Sequence, residues 1–293
     1  MVDFLLKKAT SDNDSGIVTH PRRSRRFPAK VLNDLDFADD IALLESTMSQ
    51  AQAQLTRTAD AAKDLGLIIS VPKTEYMTAN CSPHPPLQVY GEDIKHVSDF
   101  KYLGSQMASS ACDFKRRKAL AWGAFWKLER LWRDSNLPIS TKLKLFNTSC
   151  VTILLYGCES WVISQDMECK INAFATSCYR IMLGIRRRDC VSNSSIYSMT
   201  DTEPLVYCVR KRQLSFLGHI LRLPVDEPVR DYALYIPSLG KRRPGRPRTS
   251  YVSYINHVLG YDKHEMSADQ IATIAQDRCA WRKLVVACSA AEG

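Results

Sequence analysis

The chain has 293 residues, of which 45% are hydrophobic, and this is enough apolar material for two packed domains and excludes disorder of the whole chain. No apolar run approaches the roughly 20 residues of a membrane-spanning helix, and the first dozen residues lack a signal-peptide pattern. We therefore expect an intracellular protein without a membrane partner. The net charge of +9 favours a polyanionic partner.

The basic residues form five runs, and their number points to nucleic acid. Any one run is typical of a solvated face, but five in a chain of pI near 9.0 favour a nucleic-acid partner. The runs are R-R-S-R-R at 22–26, K-R-R-K at 115–118, R-R-R at 186–188, R-K-R at 210–212 and K-R-R at 241–243.

The ten cysteines are scattered singly, without a C-x-x-C pair. In a reducing compartment we interpret them as small core residues. Cys150, Cys178 and Cys208, for example, lie on apolar faces. The nearest zinc-like spacing, Cys81 with His84, lacks a second pair of ligands. We therefore expect no structural zinc.

The stretch L-N-D-L-D-F-A-D-D-I-A-L-L at 32–44 concentrates carboxylates in an apolar segment. Apolar and acidic residues alternate as in a strand with one buried face, and Asp39 breaks that alternation. A tight hairpin turn at Ala38 and Asp39 restores it and places Asp39 and Asp40 at the tip. Two carboxylates at such a short distance repel each other unless a divalent cation that prefers oxygen ligands lies between them.

The remainder of the first third alternates one helix with short strands. Helical spacing from Met48 to Leu65, with Gly66 as the stop, predicts an amphipathic helix. Strands are then predicted at 67–71, 73–77, on both sides of a Gly-Glu-Asp turn at 91–93, and at 100–105.

From about residue 110 the pattern becomes helical, with apolar spacing in five segments. Ser140 and Gly157 are the predicted cap and stop of the second. The helices are predicted at 112–133, 140–156, 166–183, 203–222 and 267–288. The fold class is α+β, in three parts: residues 1–107 with strands and one helix, a helical part at 108–235, and a basic linker with a helical tail at 236–293.

Several motifs, taken in order, carry a family resemblance. F-A-D-D, then a helix, then G-L-I-I-S-V-P-K-T-E-Y-M, then F-K-Y-L-G-S resemble three palm motifs of a non-LTR retrotransposon reverse transcriptase, of the RTE or BovB type or a related clade. The resemblance extends along nearly the whole chain. It continues through L-L-Y-G-C-E-S-W at 154–161, R-R-R-D at 186–189, L-G-H-I-L-R at 217–222 and D-R-C-A-W-R at 277–282.

The resemblance implies an RNA-directed DNA polymerase acting on an RNA template and a DNA primer. Residues 1–107 would be part of a palm and 108–235 a thumb-like domain. Asp39 and Asp40 would coordinate Mg²⁺, or Mn²⁺, for two-metal nucleotidyl transfer. Phe37 and Ala38 would lie beside the primer end.

Two further motifs receive roles from the same resemblance, and each has a plainer reading. Lys73 matches a lysine that assists the leaving pyrophosphate, and it is equally well an ordinary solvated lysine. Tyr102, Leu103 and Gly104 match the loop that grips the primer. The first two are equally typical of core packing.

One departure from the family concerns a further catalytic aspartate, which the family places on an earlier strand. Asp3 lies where this aspartate could be expected, but the 36 positions that separate Asp3 from Asp39 are too few for the nucleotide pocket that must lie between them. The apolar pairs of V-D-F-L-L-K-K suit a helix, so we interpret Asp3 as helical and non-catalytic. The chain is then expected to begin inside the palm and to be inactive alone.

The alternative function is a non-catalytic nucleic-acid-binding module. Its candidate contacts are basic residues of a helix and of the linker. Residues 243–248, R-P-G-R-P-R, resemble an AT-hook for A·T-rich duplex, and the same segment suits a flexible linker or a nuclear address. The candidate residues are Lys115, Arg116, Arg117, Lys118, Arg243, Arg246 and Arg248.

Overall fold

The computed structural model describes most of the chain, in two compact units. The described residues up to Met107 form unit 1, and those from Ser109 onward form unit 2. The described residues are 6, 9, 15–22, 24, 26, 29–79, 84–107, 109–224, 227–235, 249–261 and 265–290. Asp3 and the AT-hook-like segment at 243–248 lie outside them. Among the described residues, no helix combines the length and apolarity needed to span a bilayer.

The described residues of unit 1 include one long helix and ten short strands, which pair two by two. Four of the pairs are antiparallel, and β5 with β8 is parallel. The strands are β1 (Ile17–His20), β2 (Lys30–Leu32), β3 (Asp34–Phe37), β4 (Asp40–Leu43), β5 (Glu75–Tyr76), β6 (Gln88–Val89), β7 (Glu92–Asp93), β8 (Lys95–His96), β9 (Lys101–Tyr102) and β10 (Ser105–Gln106).

Helix α1 (Met48–Asp64) is the scaffold of unit 1, and the predicted helix is confirmed. The hydroxyl of Thr47 caps its start by accepting from the Gln50 amide, and Gly66, with φ of 73°, follows its end. Its buried face packs on two neighbours: Ala61 and Ala62 lie in a cluster with Ile41 and Leu43 of β4, whereas Leu55 and Ala59 lie with Val89 and Ile94.

The strand predicted at 67–71 is wrong, and the strand predicted at 73–77 is confirmed only at Glu75–Tyr76. Residues 67–70 are irregular, and Ile68 is 83% exposed. A 3-10 turn (Val71–Lys73) follows, with Pro72 in its first turn, where the missing N–H costs nothing. The turn predicted at Gly-Glu-Asp lies one residue earlier, at Tyr90 and Gly91, which both have positive φ as a type I′ loop requires.

In the described residues of unit 2, all the regular secondary structure is helical. Four of its helices are long enough to carry the core: α2 (Ser110–Lys127), α4 (Ile139–Phe146, continued by a π segment at Asn147–Val151 and a last turn at Thr152–Leu154), α5 (Gln165–Leu183) and α7 (Leu205–Leu221). The shorter ones are α3 (Glu129–Arg133), α6 (Asn193–Thr200), α8 (Pro228–Ala233), α9 (Tyr251–Val258), α10 (Ala268–Gln276) and α11 (Arg278–Ala290).

The structure corrects several helix boundaries in unit 2. The predicted 112–133 helix divides at Leu128 into α2 and α3. Ser140 is not a cap, because α4 begins one residue before it, at Ile139, directly after Pro138. The single tail helix predicted at 267–288 divides at Asp277, whose extended backbone ends α10 and starts α11. The predicted stop at Gly157 is confirmed by its φ of 73°.

One continuous apolar core joins the helices of unit 2. It is rich in aromatic side chains, and Phe125 stacks on Trp132 with ring centroids 5.0 Å apart. Cys150 and Cys178 are buried in it as predicted, whereas Cys208 is exposed. The α+β class is thus confirmed by the part of the chain that the structure describes, with strands and one long helix in unit 1 and only helices in unit 2.

Candidate metal site and nucleic-acid surface

The carboxylate-rich stretch folds as a two-residue hairpin, as predicted. Strands β3 and β4 are antiparallel in the register Asp34 with Leu43, Leu35 with Ala42, Asp36 with Ile41 and Phe37 with Asp40. Ala38 and Asp39 form the loop between them. Asp39 and Asp40 are therefore consecutive at the tip of the hairpin, and both are exposed.

The two faces of this hairpin have different characters. Cross-strand partners share a face, so Asp34 and Asp36 lie on the face of Ile41 and Leu43, which packs towards α1. Asp40 lies on the opposite face, with Leu35 and Phe37. Phe37 is 63% exposed, which leaves an aromatic ring open beside the tip.

The loop holds one residue in an unfavourable backbone conformation. Ala38 has φ of 57°, a left-handed value that costs a non-glycine residue roughly 1 kcal/mol. The other two-residue loops of unit 1, Tyr90–Gly91 and Leu103–Gly104, carry glycine at their second position. The first residues of those loops, Tyr90 and Leu103, have the same left-handed backbone as Ala38, with φ of 54° and 47°, so this strain is shared by all three hairpins.

Tyr102 connects the second predicted motif to this hairpin. Its hydroxyl donates to the Leu35 carbonyl of β3 over 3.4 Å. Burial raises the pKa of the Tyr102 phenol, and the negative charges of Asp36 and Asp40 raise it further. The predicted strand at 100–105 is itself a small hairpin, β9–β10, with Leu103 and Gly104 as its loop.

Asp36 is the residue that the sequence interpretation missed. The sequence prediction assigns it no role, yet its charge acts on both Tyr102 and Asp34. Burial raises the pKa of the Asp34 carboxyl, and Asp36 raises it further. The crowding of acids at 34–40 was the signal that could have found it.

Lys73 lies at the end of the 3-10 turn and is exposed. Within the part of the chain that the structure describes, its side chain makes no hydrogen bond or ion pair with Asp39 or Asp40. The structure thus places Lys73 and the hairpin in the same unit without joining them.

The hairpin tip has the donor chemistry of a magnesium site. Two consecutive exposed carboxylates offer oxygen ligands, which Mg²⁺ and Mn²⁺ prefer, and mutual repulsion favours a cation between them. In the described ranges, no group of three His, Cys, Asp or Glu side chains is arranged to hold a metal ion. Asp39 and Asp40 are the residues that would hold one here.

The basic run at 115–118 lies in the first half of α2, and its residues differ in exposure. Lys115 is exposed, Arg116 and Lys118 are half-buried, and Arg117 is buried. The Arg117 guanidinium lies 4.2 Å from the Tyr156 ring centroid and 3.9 Å from the Asp113 carboxylate. Burial lowers the pKa of Arg117 despite the Asp113 charge. Arg117 is therefore buried against neighbouring side chains, whereas Lys115 of the same run is open to solvent.

The basic run at 210–212 also belongs to the scaffold. Arg210 forms a 2.6 Å ion pair with Glu168, in which the arginine is buried. Arg212 donates to the Leu155 carbonyl at 3.0 Å and lies 3.6 Å from the Glu159 carboxylate. These arginines hold α7 to neighbouring segments. The other predicted nucleic-acid contacts, Arg243, Arg246 and Arg248, lie outside the described residues.

The chain is similar to an uncharacterized transposon-derived protein of Caenorhabditis elegans. The two are 24% identical over 274 residues, which cover 89% of this chain and 97% of that relative. No protein-family model and no solved structure matches the chain.

Proposed function

We propose that the chain derives from the reverse transcriptase of a non-LTR retrotransposon and carries part of its nucleotidyl-transfer site. The observation that carries the proposal is the β3–β4 hairpin, with Asp39 and Asp40 at its tip and Phe37 exposed beside them. Similarity along most of the chain to a protein described as transposon-derived supports the transposon part of this origin.

The residues around the hairpin fit distinct parts of this chemistry. Asp39 and Asp40 would hold Mg²⁺ or Mn²⁺, which when bound supplies alignment and charge neutralisation for in-line phosphoryl transfer. The open ring of Phe37 offers a stacking face for the last base of a DNA primer on an RNA template. Tyr102 ties the β9–β10 hairpin to β3, and Lys73 would assist the leaving pyrophosphate.

Two carboxylates are fewer than the reaction requires. Mg²⁺ binds weakly when few carboxylates and no substrate phosphate are fixed around it, and the two-ion clamp needs a further aspartate and a nucleotide pocket. We therefore expect the chain alone to incorporate no nucleotide. We expect incorporation when it is joined to a polypeptide that supplies that aspartate and pocket.

Primer extension on an RNA template with Mg²⁺ tests the proposal. The chain alone, the joined polypeptide and its Asp39→Asn variant are compared, with Asp93→Asn as the control because Asp93 is an exposed carboxylate of another hairpin. Extension by the joined polypeptide should disappear with Asp39→Asn and persist with Asp93→Asn. Extension that survives Asp39→Asn would refute the proposal.

A second candidate, a non-catalytic nucleic-acid-binding module, is favoured by one surface of α2. Trp126 is 45% exposed and stacks on Trp122 with centroids 6.0 Å apart, and Lys118 precedes Trp122 by one helical turn. Aromatic rings beside lysines bind unstacked bases. Under this proposal the chain acts in the nucleus through this surface and the AT-hook-like segment. Arg246→Ala with Arg248→Ala should then reduce binding to A·T-rich duplex more than to G·C-rich duplex.

A further inference from the structure

A groove in unit 2 lies where the chain passes from the end of α5 to the start of α6. Its lining is basic, with two apolar residues, and it includes the R-R-R-D motif that the proposed function leaves without a role. The lining residues are Ser177, Arg180, Ile181, Arg186, Arg187, Cys190 and Val191.

The loop that forms the groove is fixed by its own backbone bonds. Helix α5 ends at Gly184, which has φ of 71° and turns the chain back. The Arg186 amide then donates to the Asp189 carboxylate at 2.7 Å, which closes the 3-10 turn (Arg187–Asp189). Cys190, at φ of 50°, leads to Ser192, which caps α6. The arginines are thus held on an ordered turn.

Arg180 is the anchored cation of the groove. Its Nη2 donates to the Val191 carbonyl at 3.0 Å and to the Asn193 Oδ1 at 2.9 Å. Both acceptors are neutral, so they orient the guanidinium without cancelling its charge. Within the described ranges, no carboxylate lies within ion-pair distance of Arg180, Arg186 or Arg187.

The charges around the groove favour an anion. Three guanidinium groups line it, against one neighbouring carboxylate, Asp189, which already accepts from the Arg186 amide. The carboxyl end of α5 adds a partial charge of about −0.5. These negative charges do not balance three full positive ones. Arginines suit phosphate: Arg186 and Arg187 can each donate two parallel hydrogen bonds to it, and Arg180, whose Nη2 is already engaged, adds its charge.

Arginines of two other basic runs are engaged by carboxylates of unit 2. In the run at 210–212, Arg210 and Arg212 bind Glu168 and Glu159, and in the run at 115–118, Arg117 is buried near Asp113. Arg186 and Arg187 are exposed and contribute no side chain to the core.

We propose that this groove binds phosphodiester groups of a nucleic-acid strand, with Arg180, Arg186 and Arg187 as the contacts. The inference rests on the proposed function, because it gives unit 2 the task of holding the nucleic acid on which unit 1 acts. It adds a defined phosphate site to that function.

The first test measures oligonucleotide affinity against salt for the full chain. Arg186→Gln with Arg187→Gln is compared with Arg282→Gln plus Lys283→Gln, a control that removes the same charge from exposed positions of α11. On a single strand each lost phosphate contact should lower the salt slope by about 0.7, so the groove variant should lose about 1.4 and roughly tenfold in affinity at physiological salt. Equal losses in groove variant and control would overturn the inference.

The second test uses the unmodified chain, since Cys190 is exposed in the groove and reports its occupancy. Maleimide labelling at each cysteine is followed by peptide mass spectrometry, with Cys169, exposed near the start of α5, as the internal control. An oligonucleotide should slow labelling of Cys190 and leave that of Cys169 unchanged. Unchanged labelling of Cys190 at saturating oligonucleotide would overturn the inference.

A third arm separates nucleic acid from small phosphates. Inorganic phosphate and a nucleoside monophosphate, each at the phosphate concentration of the oligonucleotide, should leave Cys190 unprotected. Equal protection by either would identify a small-anion site and overturn the proposed ligand. If the groove tests fail while the chain still binds oligonucleotide, the inference fails alone; if the chain binds none, the proposed function fails with it.

Discussion

Gly218 of α7 lies directly under Trp281 of α11. A Cβ atom at Gly218 would come within 2.1 Å of the indole Nε1, and that Nε1 donates to the Leu214 carbonyl, one turn earlier in α7, at 2.8 Å. The L-G-H-I-L-R and D-R-C-A-W-R motifs therefore meet at one helix crossing, where glycine makes room for tryptophan.

Gly218→Ala should destabilise unit 2. The added methyl group would displace the indole, at a cost of about 1–3 kcal/mol for overpacking and about 1 kcal/mol for the lost hydrogen bond. Urea unfolding followed by tryptophan fluorescence measures the change. Gly123→Ala is the matched control, because Gly123 lies within α2 with no atom within 4 Å of its added Cβ. The control should gain about 0.5–1 kcal/mol, and a stabilising Gly218→Ala would contradict the packing.

The strained loop of the hairpin gives a second prediction. Ala38→Val should weaken β3–β4 pairing, because a β-branched side chain at φ of 57° is far more strained than alanine. Ala42→Val, which adds the same atoms at a half-buried position of β4, should be neutral or stabilising. Amide hydrogen exchange across the hairpin measures both. Faster exchange in Ala42→Val than in Ala38→Val would contradict the assigned backbone.

Alkaline pH should destabilise unit 2. Burial raises the pKa of the Cys158 thiol to about 12, and Glu159 adds to the shift. An unfolded thiol ionises near about 8.5, so between these values the unfolded state alone releases the proton and stability falls by about 1.4 kcal/mol per pH unit. The contribution of Cys158 to the free energy of unfolding should be complete below about pH 8.5.

Denaturant unfolding at several pH values above neutrality tests this alkaline dependence. Cys158→Ala should lessen the slope without removing it, because burial also raises the pKa of the Cys178 thiol, and Cys169→Ala, at an exposed position, should leave the slope unchanged. The burial of Cys158 would be contradicted if both variants kept the full slope.

Tyr102 offers a titration of the proposed cation site. Asp36 and Asp40 raise the pKa of its phenol, so a cation bound at Asp39 and Asp40 should lower that pKa. The ¹³C shift of the labelled Tyr102 ring against pH, with and without Mg²⁺, measures the effect. Asp40→Asn should lower the pKa without Mg²⁺ and abolish the response to it. If neither Mg²⁺ nor Asp40→Asn changes the pKa of Tyr102, then Tyr102 does not interact with the proposed cation site.

The hairpin and the long helices were predictable because their signals are local. Alternation broken at Asp39 locates a turn, and the helical spacing that ends at Gly66 locates α1. The strand predicted at 67–71 failed because an apolar run does not reveal whether another strand is available to pair with it. The α6 helix was missed because it spans only Asn193–Thr200, too short for periodicity to be read.

The roles of the basic residues depended on contacts distant in sequence. Nothing within K-R-R-K indicates that Arg117 lies against Tyr156, which is 39 positions later in the chain. The same holds for Arg210 and Glu168, which are separated by 42 positions. Composition could therefore predict an affinity for polyanions, but it could not separate the arginines that face solvent from those that bind core acids.

Paramagnetic broadening by Mn²⁺ tests most directly whether the tip of the β3–β4 hairpin holds a divalent cation, as we propose. Amide signals are recorded for the whole chain, with Glu92 and Asp93 as the internal control, because they are also consecutive, exposed and acidic but lie within a strand, where neighbouring side chains point to opposite faces. At low Mn²⁺ concentration the amide signals of Asp39 and Asp40 should broaden first, and those of Glu92 and Asp93 should not. In the Asp39→Asn variant this difference should disappear. Equal broadening of the two pairs, or broadening unchanged by Asp39→Asn, would contradict the claim.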